Sequence, residues 1–258
     1  MSEPILKIVG LNKSFGPVQV LHDVNLAVYP GEVTALVGDN GAGKSTLIKC
    51  IAGIYTVDSG EIFWDGKPVK IHSPAAASAL GLEFVYQDLA LADNLDITQN
   101  MFLGRELHRG PFSLDGQMER KARETLTGLS VRTVNSVRQL VASLSGGQRQ
   151  TVAIAKAVLW NGKVVILDEP TAALGVAQTK QVLDLVRRLA DNGIGVVLIS
   201  HNMNDVMQVA DRVDALYLGR IAAEVLRKDT STSQIVELIT SGRSGDIGLS
   251  AATAAQSA

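Results

Sequence analysis

The feature that most constrains this chain is the stretch GDNGAGKST at residues 38 to 46. It fits the pattern G-x-x-x-x-G-K-[ST], and it lies between the apolar run VTALV and the helical stretch KSTLIKCIAG. An apolar strand, a glycine-rich loop and a helix in immediate succession are typical of one unit of an α/β fold. The sequence therefore predicts an α/β domain with a mainly parallel sheet.

The same stretch has the chemistry of a phosphate-binding loop. Its glycines let backbone N–H groups wrap phosphates, Lys44 reaches the β- and γ-phosphates, and the Ser45 hydroxyl binds Mg²⁺. We therefore expect a P-loop NTPase core that binds the phosphates of a nucleotide together with Mg²⁺. A chance glycine turn is the alternative, and the flanking strand and helix argue against it. The candidate nucleotide-binding residues of this loop are Gly38, Asp39, Asn40, Gly41, Ala42, Gly43, Lys44, Ser45 and Thr46.

A second apolar run, in KVVILDEP at residues 163 to 170, predicts a buried parallel strand that ends at Asp168. Ligands of open α/β sheets bind at the carboxyl ends of the strands, so Asp168 is placed to hold Mg²⁺ through water. Glu169 follows directly, and a carboxylate beside the γ-phosphate orients and polarises an attacking water. A strand ending in Asp-Glu-Pro is by itself more often a capped turn. Because the same chain also carries a phosphate loop, the catalytic interpretation is favoured here.

Two other strand ends carry polar side chains. VVLISH ends at His201, for which we favour a contact with the γ-phosphate over a purely structural role. LEFVYQ ends at Gln87, whose amide can reach both the Mg²⁺ ion and the attacking water. This assignment depends on the presence of the other motifs in the chain. The remaining histidines show no metal-ligand spacing with one another or with the single cysteine.

The stretch SLSGGQRQ at residues 143 to 150 has the signature of a helix start. Ser145 and Gln148 have the spacing of a capping box, and apolar residues follow with helical periodicity. Gly146 and Gly147 leave backbone N–H groups bare at the positive end of the helix dipole, which favours an anion. Taken alone, a flexible turn with an N-cap is the simpler interpretation.

The rest of the chain divides into three stretches. Strand and turn signals in the opening third predict an N-terminal antiparallel β lobe, with a hairpin in EIFWDGKPVKI. After Gln87 the sequence becomes helical and polar, which predicts a helical lobe inserted at about residues 88–155. We expect one domain over residues 1–242 and a disordered tail over 243–258, since the tail is small and polar without an apolar period.

Charge and cysteine content narrow the function classes. The net charge is −2, with 24 basic and 26 acidic residues, so the basic footprint of a nucleic-acid binder is missing. The single Cys50 excludes an internal disulfide and suits a reducing compartment. The start MSEPILKIVG has no signal-peptide pattern, and no apolar run approaches a membrane span. We therefore expect no direct membrane insertion.

A phosphate loop, Gln87, LSGGQ, LDEP and a strand-end His, in this order, resemble the ATP-binding subunits of ABC transporters. The resemblance covers about residues 5 to 242. It implies a homodimer in which the LSGGQ of each subunit, Ser145 to Gln148, caps the ATP held by the other. It also implies that Glu169 is the general base, that His201 is the switch histidine and that Gln87 senses the membrane partner. Phe15 matches the aromatic residue that stacks on adenine, although a strand-end Phe packed in the core is nearly as good an interpretation.

The chain departs from the family pattern at Gly175, in TAALG, where an Asp usually crosses the dimer interface. GDNGAGKSTLIKCIAGIYTVDSGEI, LDITQNMFLGRE and DEPTAAL resemble the importers of monosaccharides such as ribose, galactose, xylose and fructose, with fructose favoured. This implies a membrane permease and a periplasmic sugar-binding protein as partners, at the cytoplasmic face of the inner membrane.

Two other functions remain open from the sequence. A soluble ATPase of the translation or DNA-repair type also carries LSGGQ, but usually with tandem domains or a long coiled coil, which this chain lacks. An ATP-dependent scaffold without turnover is the third candidate. Glu169 argues against it, because a scaffold has no use for a general base.

Overall fold

The structure is a computed structural model that describes residues 3–131, 134 and 136–249. The strands within these residues are β1 (Leu6–Phe15), β2 (Val18–Val28), β3 (Val33–Gly38), β4 (Ser59–Trp64), β5 (Lys67–Val69), β6 (Leu82–Val85), β7 (His108–Arg109), β8 (Phe112–Ser113), β9 (Val164–Asp168), β10 (Gly195–Ile199), β11 (Arg212–Tyr217), β12 (Arg220–Leu226), β13 (Arg243–Ser244) and β14 (Ile247–Gly248). The α-helices are α1 (Lys44–Ile51), α2 (Pro74–Leu80), α3 (Ile97–Phe102), α4 (Asp115–Gly128), α5 (Gly146–Val158), α6 (Val176–Asp191), α7 (Met203–Val209) and α8 (Thr232–Ser241).

The central sheet has six strands in the order β12-β11-β3-β10-β9-β6. All neighbours are parallel except β11 and β12, which form an antiparallel hairpin at one edge. Strands β3 and β10 are buried along their whole length, which their continuous apolar sequences VTALVG and GVVLI require of strands covered on both faces. The predicted α/β fold with a mainly parallel sheet is confirmed.

A second, antiparallel sheet has the order β2-β1-β4-β5 and forms the predicted N-terminal β lobe. Its inward side chains and one face of α1 form a shared core with the central sheet, in which Leu6, Leu21 and Leu47 are fully buried. The predicted hairpin is present, and β4 turns into β5 through Asp65 and Gly66. Both turn residues have positive φ, which is the type I′ geometry that matches strand twist.

The helices α3, α4 and α5 lie between β6 and β9 in the chain, in the stretch predicted to form an inserted helical lobe. They do not have a core of their own. Phe102 and Ile154 belong to one buried cluster with Val165 and Leu198 of the central sheet. The lobe is therefore packed onto the sheet as part of the same folded unit. Within the described residues, no helix has the length and apolar composition that crossing a bilayer requires.

The prediction of a disordered tail from residue 243 is wrong for residues 243–249. These residues form the hairpin of β13 and β14, which packs against α8. The Ser244 hydroxyl is buried and donates to a Glu237 carboxylate oxygen at 2.6 Å, and the Leu249 N–H donates to the Gly242 carbonyl at 2.9 Å. Ile247 adds an apolar contact to the core around α8. Periodicity missed this short hairpin, and the rest of the predicted tail lies outside the described residues.

Candidate functional site

The phosphate loop connects β3 to α1 where the sequence predicts it. Gly43 has φ of 105°, a left-handed conformation that favours glycine, and α1 begins at the next residue. The Lys44 ammonium donates to the carbonyls of Gly38 at 2.7 Å and Asp39 at 2.9 Å. The lysine is therefore held over the loop at the N-terminus of a helix, where backbone N–H groups and the helix dipole favour an anion.

A cavity of about 430 Å³ lies over this loop. It is lined from three directions, by the loop and α1, by the ends of the neighbouring parallel strands, and by one residue of the antiparallel lobe. The lining residues are Val20, Asn40, Gly41, Gly43, Lys44, Ser45, Thr46, Gln87, Asp168, Glu169, Ala172 and His201. The site residues predicted on four separate stretches of the chain are thus brought to one cavity, because the carboxyl ends of parallel strands meet at the same edge of a sheet.

The register of β9 and β10 sets the positions of two acidic residues, Asp168 and Glu169. Asp168 pairs with Ile199, so β9 ends level with its neighbour, and the Glu169 N–H donates to the Ile199 carbonyl at 3.0 Å. Glu169 has φ of 50°, a conformation that non-glycine residues rarely adopt. Strain of this kind costs about 1–3 kcal/mol and collects at functional sites. Here it accompanies a turn of the chain that places the Glu169 carboxylate in the cavity.

His201 and Glu169 contact each other directly. The Nδ1 atom of His201 is 2.8 Å from Oε2 of Glu169, and 73% of the histidine side chain is exposed compared with 16% of the glutamate. The imidazole therefore holds the carboxylate with one nitrogen while its other edge faces the open cavity. Such a pair can orient a general base toward a reacting water.

Burial, together with nearby charges, shifts the pKa values of two residues at the cavity. Burial raises the pKa of Asp168, the Glu169 carboxylate raises it further, and the ammonium groups of Lys44 and Lys49 oppose this shift. Burial lowers the pKa of Lys44, and the carboxylates of Glu169, Asp39 and Asp168 oppose that shift. Each of these half-buried charged groups therefore has opposite charges nearby. Lys44 is the one lysine among the described lining residues.

Oxygen donors suited to Mg²⁺ lie in the same cavity. Gln87 follows β6 and lines the same cavity as Ser45 of α1 and Asp168 of β9. Carboxylate, hydroxyl and amide oxygens are hard ligands, and Mg²⁺ in nucleotide sites is held by one or two of them together with the substrate phosphates. The residues present therefore fit a magnesium ion.

Phe15 lies at the end of β1 and outside the cavity lining. The residue is 42% exposed, and its ring makes an edge contact with Tyr55 at 5.1 Å between centroids. The Lys13 ammonium lies 5.3 Å from the centre of the Phe15 ring. The alternative of a Phe packed in the core is therefore wrong, since much of the ring faces solvent.

The predicted capping box at SLSGGQ is confirmed. The Gln148 N–H donates to the Ser145 hydroxyl at 3.4 Å, and the Ser145 N–H donates to the Gln148 side-chain oxygen at 2.9 Å. A Cβ atom added to Gly147 would lie 3.0 Å from Cβ of Gln178, so this glycine also lets α5 and α6 approach closely. Residues Ser145 to Gln148 do not line the phosphate-loop cavity.

Gly175, the departure from the family pattern, stands at the start of α6. Its N–H donates to the Gln178 side-chain oxygen at 3.3 Å, and a Cβ atom at this position would meet nothing within 4 Å. The following Val176 is 91% exposed. Glycine in place of the usual Asp therefore leaves the packing within this chain intact, and any effect would be on contacts made by the exposed surface at the start of α6.

The sequence did not predict the contact between the loop after β9 and α7, the helix that follows His201. Thr171 follows Glu169 closely, and its hydroxyl donates to a carboxylate oxygen of the buried Asp205 in α7 at 2.6 Å. Val20 and Ala172, two lining residues, were also missed. Asp205 and Val20 belong to no motif, and Ala172 lies in the DEPTAAL stretch without a predicted role of its own. Only the folded chain places these three residues at or beside the site.

Comparisons with known proteins agree with this geometry. The sequence profile of the ABC transporter family matches residues 21–172. The chain is 46% identical to the fructose import ATP-binding protein FrcA of Rhizobium meliloti, covering 93% of this chain and 95% of that protein. It is 42% identical to the xylose/arabinose import ATP-binding protein XylG of Sulfolobus acidocaldarius, covering 95% and 97%.

A solved structure shares the fold. The dimeric post-hydrolysis state of the ATP-binding cassette MJ0796, bound to ADP and Pi, matches with a TM-score of 0.71 and 25% identity. The match covers 86% of this chain and 98% of that chain. Profile, relatives and fold all point to the same family, and the P-loop, LSGGQ and LDEP stretches lie within the matched region. The chain belongs to the ABC transporter family, as one of its ATP-binding cassettes.

Proposed function

We propose that this chain binds and hydrolyses ATP to energise the import of a monosaccharide through an ABC transporter. The observation that carries the ATPase activity is the convergence of Lys44, Asp168, Glu169 and His201 on one cavity over a phosphate loop. The sugar class rests on the relatives, which are import proteins for fructose and for xylose or arabinose. Fructose is the first candidate, because FrcA is 46% identical to this chain and the xylose/arabinose protein is 42% identical.

The residues of the cavity have different roles in ATP hydrolysis. Backbone N–H groups of the phosphate loop and the Lys44 ammonium bind the phosphates and stabilise the charge that develops during transfer. Glu169 accepts hydrogen bonds from the attacking water and polarises it, while His201 orients Glu169 and contacts the γ-phosphate. Ser45, Gln87 and Asp168 would hold Mg²⁺, which when bound neutralises charge on the phosphate oxygens.

Phe15 stacks on the adenine ring in this proposal. Its exposed ring, held by Tyr55 on one side, is available to a base, and such stacking is worth about 1–3 kcal/mol per base. ATP then lies between the antiparallel lobe, which holds the base, and the phosphate loop, which holds the phosphates.

Two copies of the chain share each ATP. The helix start at Ser145 to Gln148 is a second anion site that lies away from the phosphate loop of its own chain, so its ligand comes from a partner. Head-to-tail contact between two identical subunits closes with two-fold symmetry and creates two equivalent composite sites. Because Gly175 has no side chain, this homodimer forms without the carboxylate contact that an Asp would make across the interface.

A mixing experiment tests the shared site. Lys44→Ala and Ser145→Arg each inactivate both composite sites of their own homodimers, but a mixed dimer pairs the intact phosphate loop of one chain with the intact LSGGQ of the other. Mixing after dissociation should restore about a quarter of parental ATPase, since half of the dimers are mixed and each has one whole site. Each variant mixed with itself is the control. If the mixture stays at background in both ATPase and ATP-dependent dimerisation, the shared site is refuted.

The permease docks on the groove between the helical lobe and the central sheet. This groove, of about 260 Å³, is lined by Tyr86, Leu89, Arg105, Lys156 and Trp160 among others. Gln87 follows Tyr86 directly and lines the ATP cavity, so contact with the membrane partner is linked to the metal and water site. The permease holds the chain at the cytoplasmic face of the inner membrane and receives sugar from a periplasmic binding protein.

Sugar uptake in cells tests the proposed function. A host strain deleted for this chain is given back either the parental gene or the Lys44→Ala variant, and uptake of labelled fructose, xylose and ribose is measured. Uptake of one of these sugars should return only with the parental gene. Equal uptake in both strains for every sugar would contradict a role in their import and favour a soluble ATPase instead.

A further inference from the structure

The turn between β11 and β12 lies against the phosphate loop, although the two are far apart in the chain. Tyr217 pairs with Arg220, so the turn consists of Leu218 and Gly219 alone. Both have positive φ, 43° and 78°, which is the type I′ hairpin geometry. Leu218 is exposed and Gly219 is buried, so the glycine is the turn residue that packs against the rest of the protein.

Both backbone polar groups of Gly219 bond outside its own hairpin. Its N–H donates to the carbonyl of Ala42 in the phosphate loop at 2.9 Å, and its carbonyl accepts from the N–H of His22 in β2 at 2.8 Å. The glycine therefore bridges the phosphate loop and the antiparallel lobe. Val20, close by on β2, and Gly43, next to Ala42, both line the ATP cavity.

There is no room for a side chain at this bridge. A Cβ atom on Gly219 would lie 2.2 Å from the carbonyl oxygen of Val20 and 3.0 Å from Cδ2 of His22. The first of these is a backbone atom of a paired strand, which cannot swing aside as a flexible side chain can. An alanine here would push the turn away from the phosphate loop or displace β2.

We propose that Gly219 is a positioning residue for the nucleotide: it holds the Ala42 carbonyl, and with it the N–H groups of the phosphate loop, in the orientation that receives phosphates. This inference rests on the proposed binding of ATP. A phosphate loop binds through several N–H groups at once, so a small rotation of its backbone weakens all of these hydrogen bonds together. Fixing the loop beforehand removes an ordering cost that binding would otherwise carry.

The chain contains a matched control for this glycine. The turn of Asp65 and Gly66 between β4 and β5 has the same two-residue form, with φ of 48° and 73°. A Cβ atom on Gly66 would meet nothing within 4 Å. Gly66→Ala therefore carries the same backbone strain as Gly219→Ala without the clash and without a link to the phosphate loop.

The test measures nucleotide affinity and turnover in both variants. Gly219→Ala should weaken ATP binding and raise KM for ATP about tenfold, the size expected for one lost backbone hydrogen bond in the site. At saturating ATP, kcat should fall by a smaller factor than ATP affinity, because Glu169 and His201 are untouched although the N–H groups of the loop are displaced. Gly66→Ala should lower thermal stability by a smaller amount, because it has the backbone strain without the clash, and it should leave both KM and ATP affinity unchanged.

The outcomes separate this inference from the proposed function. If the parental protein binds no ATP, the proposed function fails. If it binds ATP and the two variants behave alike, the positioning role of Gly219 is refuted.

A measurement on the parental protein covers the case in which Gly219→Ala does not fold. Hydrogen exchange at the Gly219 amide should slow when Mg²⁺ and ATP are added, because the ligand stabilises the closed bridge to Ala42. The amide of Gly81, which donates to the Ser78 carbonyl at 2.9 Å in the cap of α2, should respond less. Equal responses at the two amides would overturn the inference.

Discussion

Glu169→Gln should lower the ATPase rate about 100-fold or more while ATP binding is retained, since a general base contributes about 10²–10⁴ to the rate. The amide has nearly the same shape as the carboxylate, and its oxygen can still accept from Nδ1 of His201, which lies 2.8 Å from Oε2 of Glu169. The loss is therefore confined to the negative charge that polarises water. Because ATP bridges two subunits in our proposal, slow hydrolysis should also let dimers accumulate.

Steady-state ATPase and size-exclusion chromatography with Mg²⁺ and ATP measure the two effects. Glu124→Gln, the same change at an exposed position on α4, is the control and should behave like the parental chain. A Glu169→Gln variant that hydrolyses ATP at the parental rate would remove Glu169 from the reaction. A variant that is inactive but remains monomeric with ATP would retain the base and contradict the ATP-bridged dimer.

Lys44→Ala should weaken nucleotide binding and turnover about 100-fold or more, the size found when a donor that stabilises developing charge is removed. The described cavity lining holds the carboxylates of Asp168 and Glu169 against this one ammonium group. Without Lys44, a polyanion would enter a site lined by like charges. The bonds of the ammonium to the Gly38 and Asp39 carbonyls would also be lost, but Lys44 is only half-buried and belongs to none of the apolar core clusters.

The fold should therefore survive the Lys44→Ala change. Circular dichroism and thermal unfolding without nucleotide should match the parental protein within a few degrees, whereas the stabilisation on adding ATP should disappear. Lys67→Ala, an exposed lysine on β5, is the control for removal of a lysine and should keep the ATP response. Normal ATP binding by Lys44→Ala would refute the assignment of the phosphate loop.

Local patterns in the sequence were sufficient for the elements and for most of the site. GDNGAGKST lies between an apolar strand and a helix, and this local order is what a phosphate loop needs. The apolar runs at β9 and β10 are too short for helices and too apolar for exposed strands, so their burial in a parallel sheet could be predicted. The capping box at Ser145 is likewise local, because its two hydrogen bonds join residues three positions apart.

Contacts between distant stretches could not be predicted in this way. The bond between His201 and Glu169, the link from Thr171 to Asp205 and the packing of Gly147 on Gln178 depend on how strands and helices are placed side by side. No spacing in the sequence encodes them. The pKa shifts of Lys44 and Asp168 belong to the same class, since burial and neighbouring charge appear only when the cavity has formed.

The sequence by itself determined which functional groups this protein has for binding and hydrolysing a nucleotide. A phosphate loop and a strand ending in Asp-Glu each consist of consecutive residues and can be recognised without the fold. Only the tertiary structure decided how that chemistry is supported. The hairpin at residues 243–249 looked like a polar tail until packing against α8 gave its few apolar atoms a partner. Gly219 belongs to none of the sequence motifs, and only folding brings it within hydrogen-bond distance of Ala42. A hydrogen bond acts over about 3 Å, so its partners are set by where the chain folds back and not by their order along it.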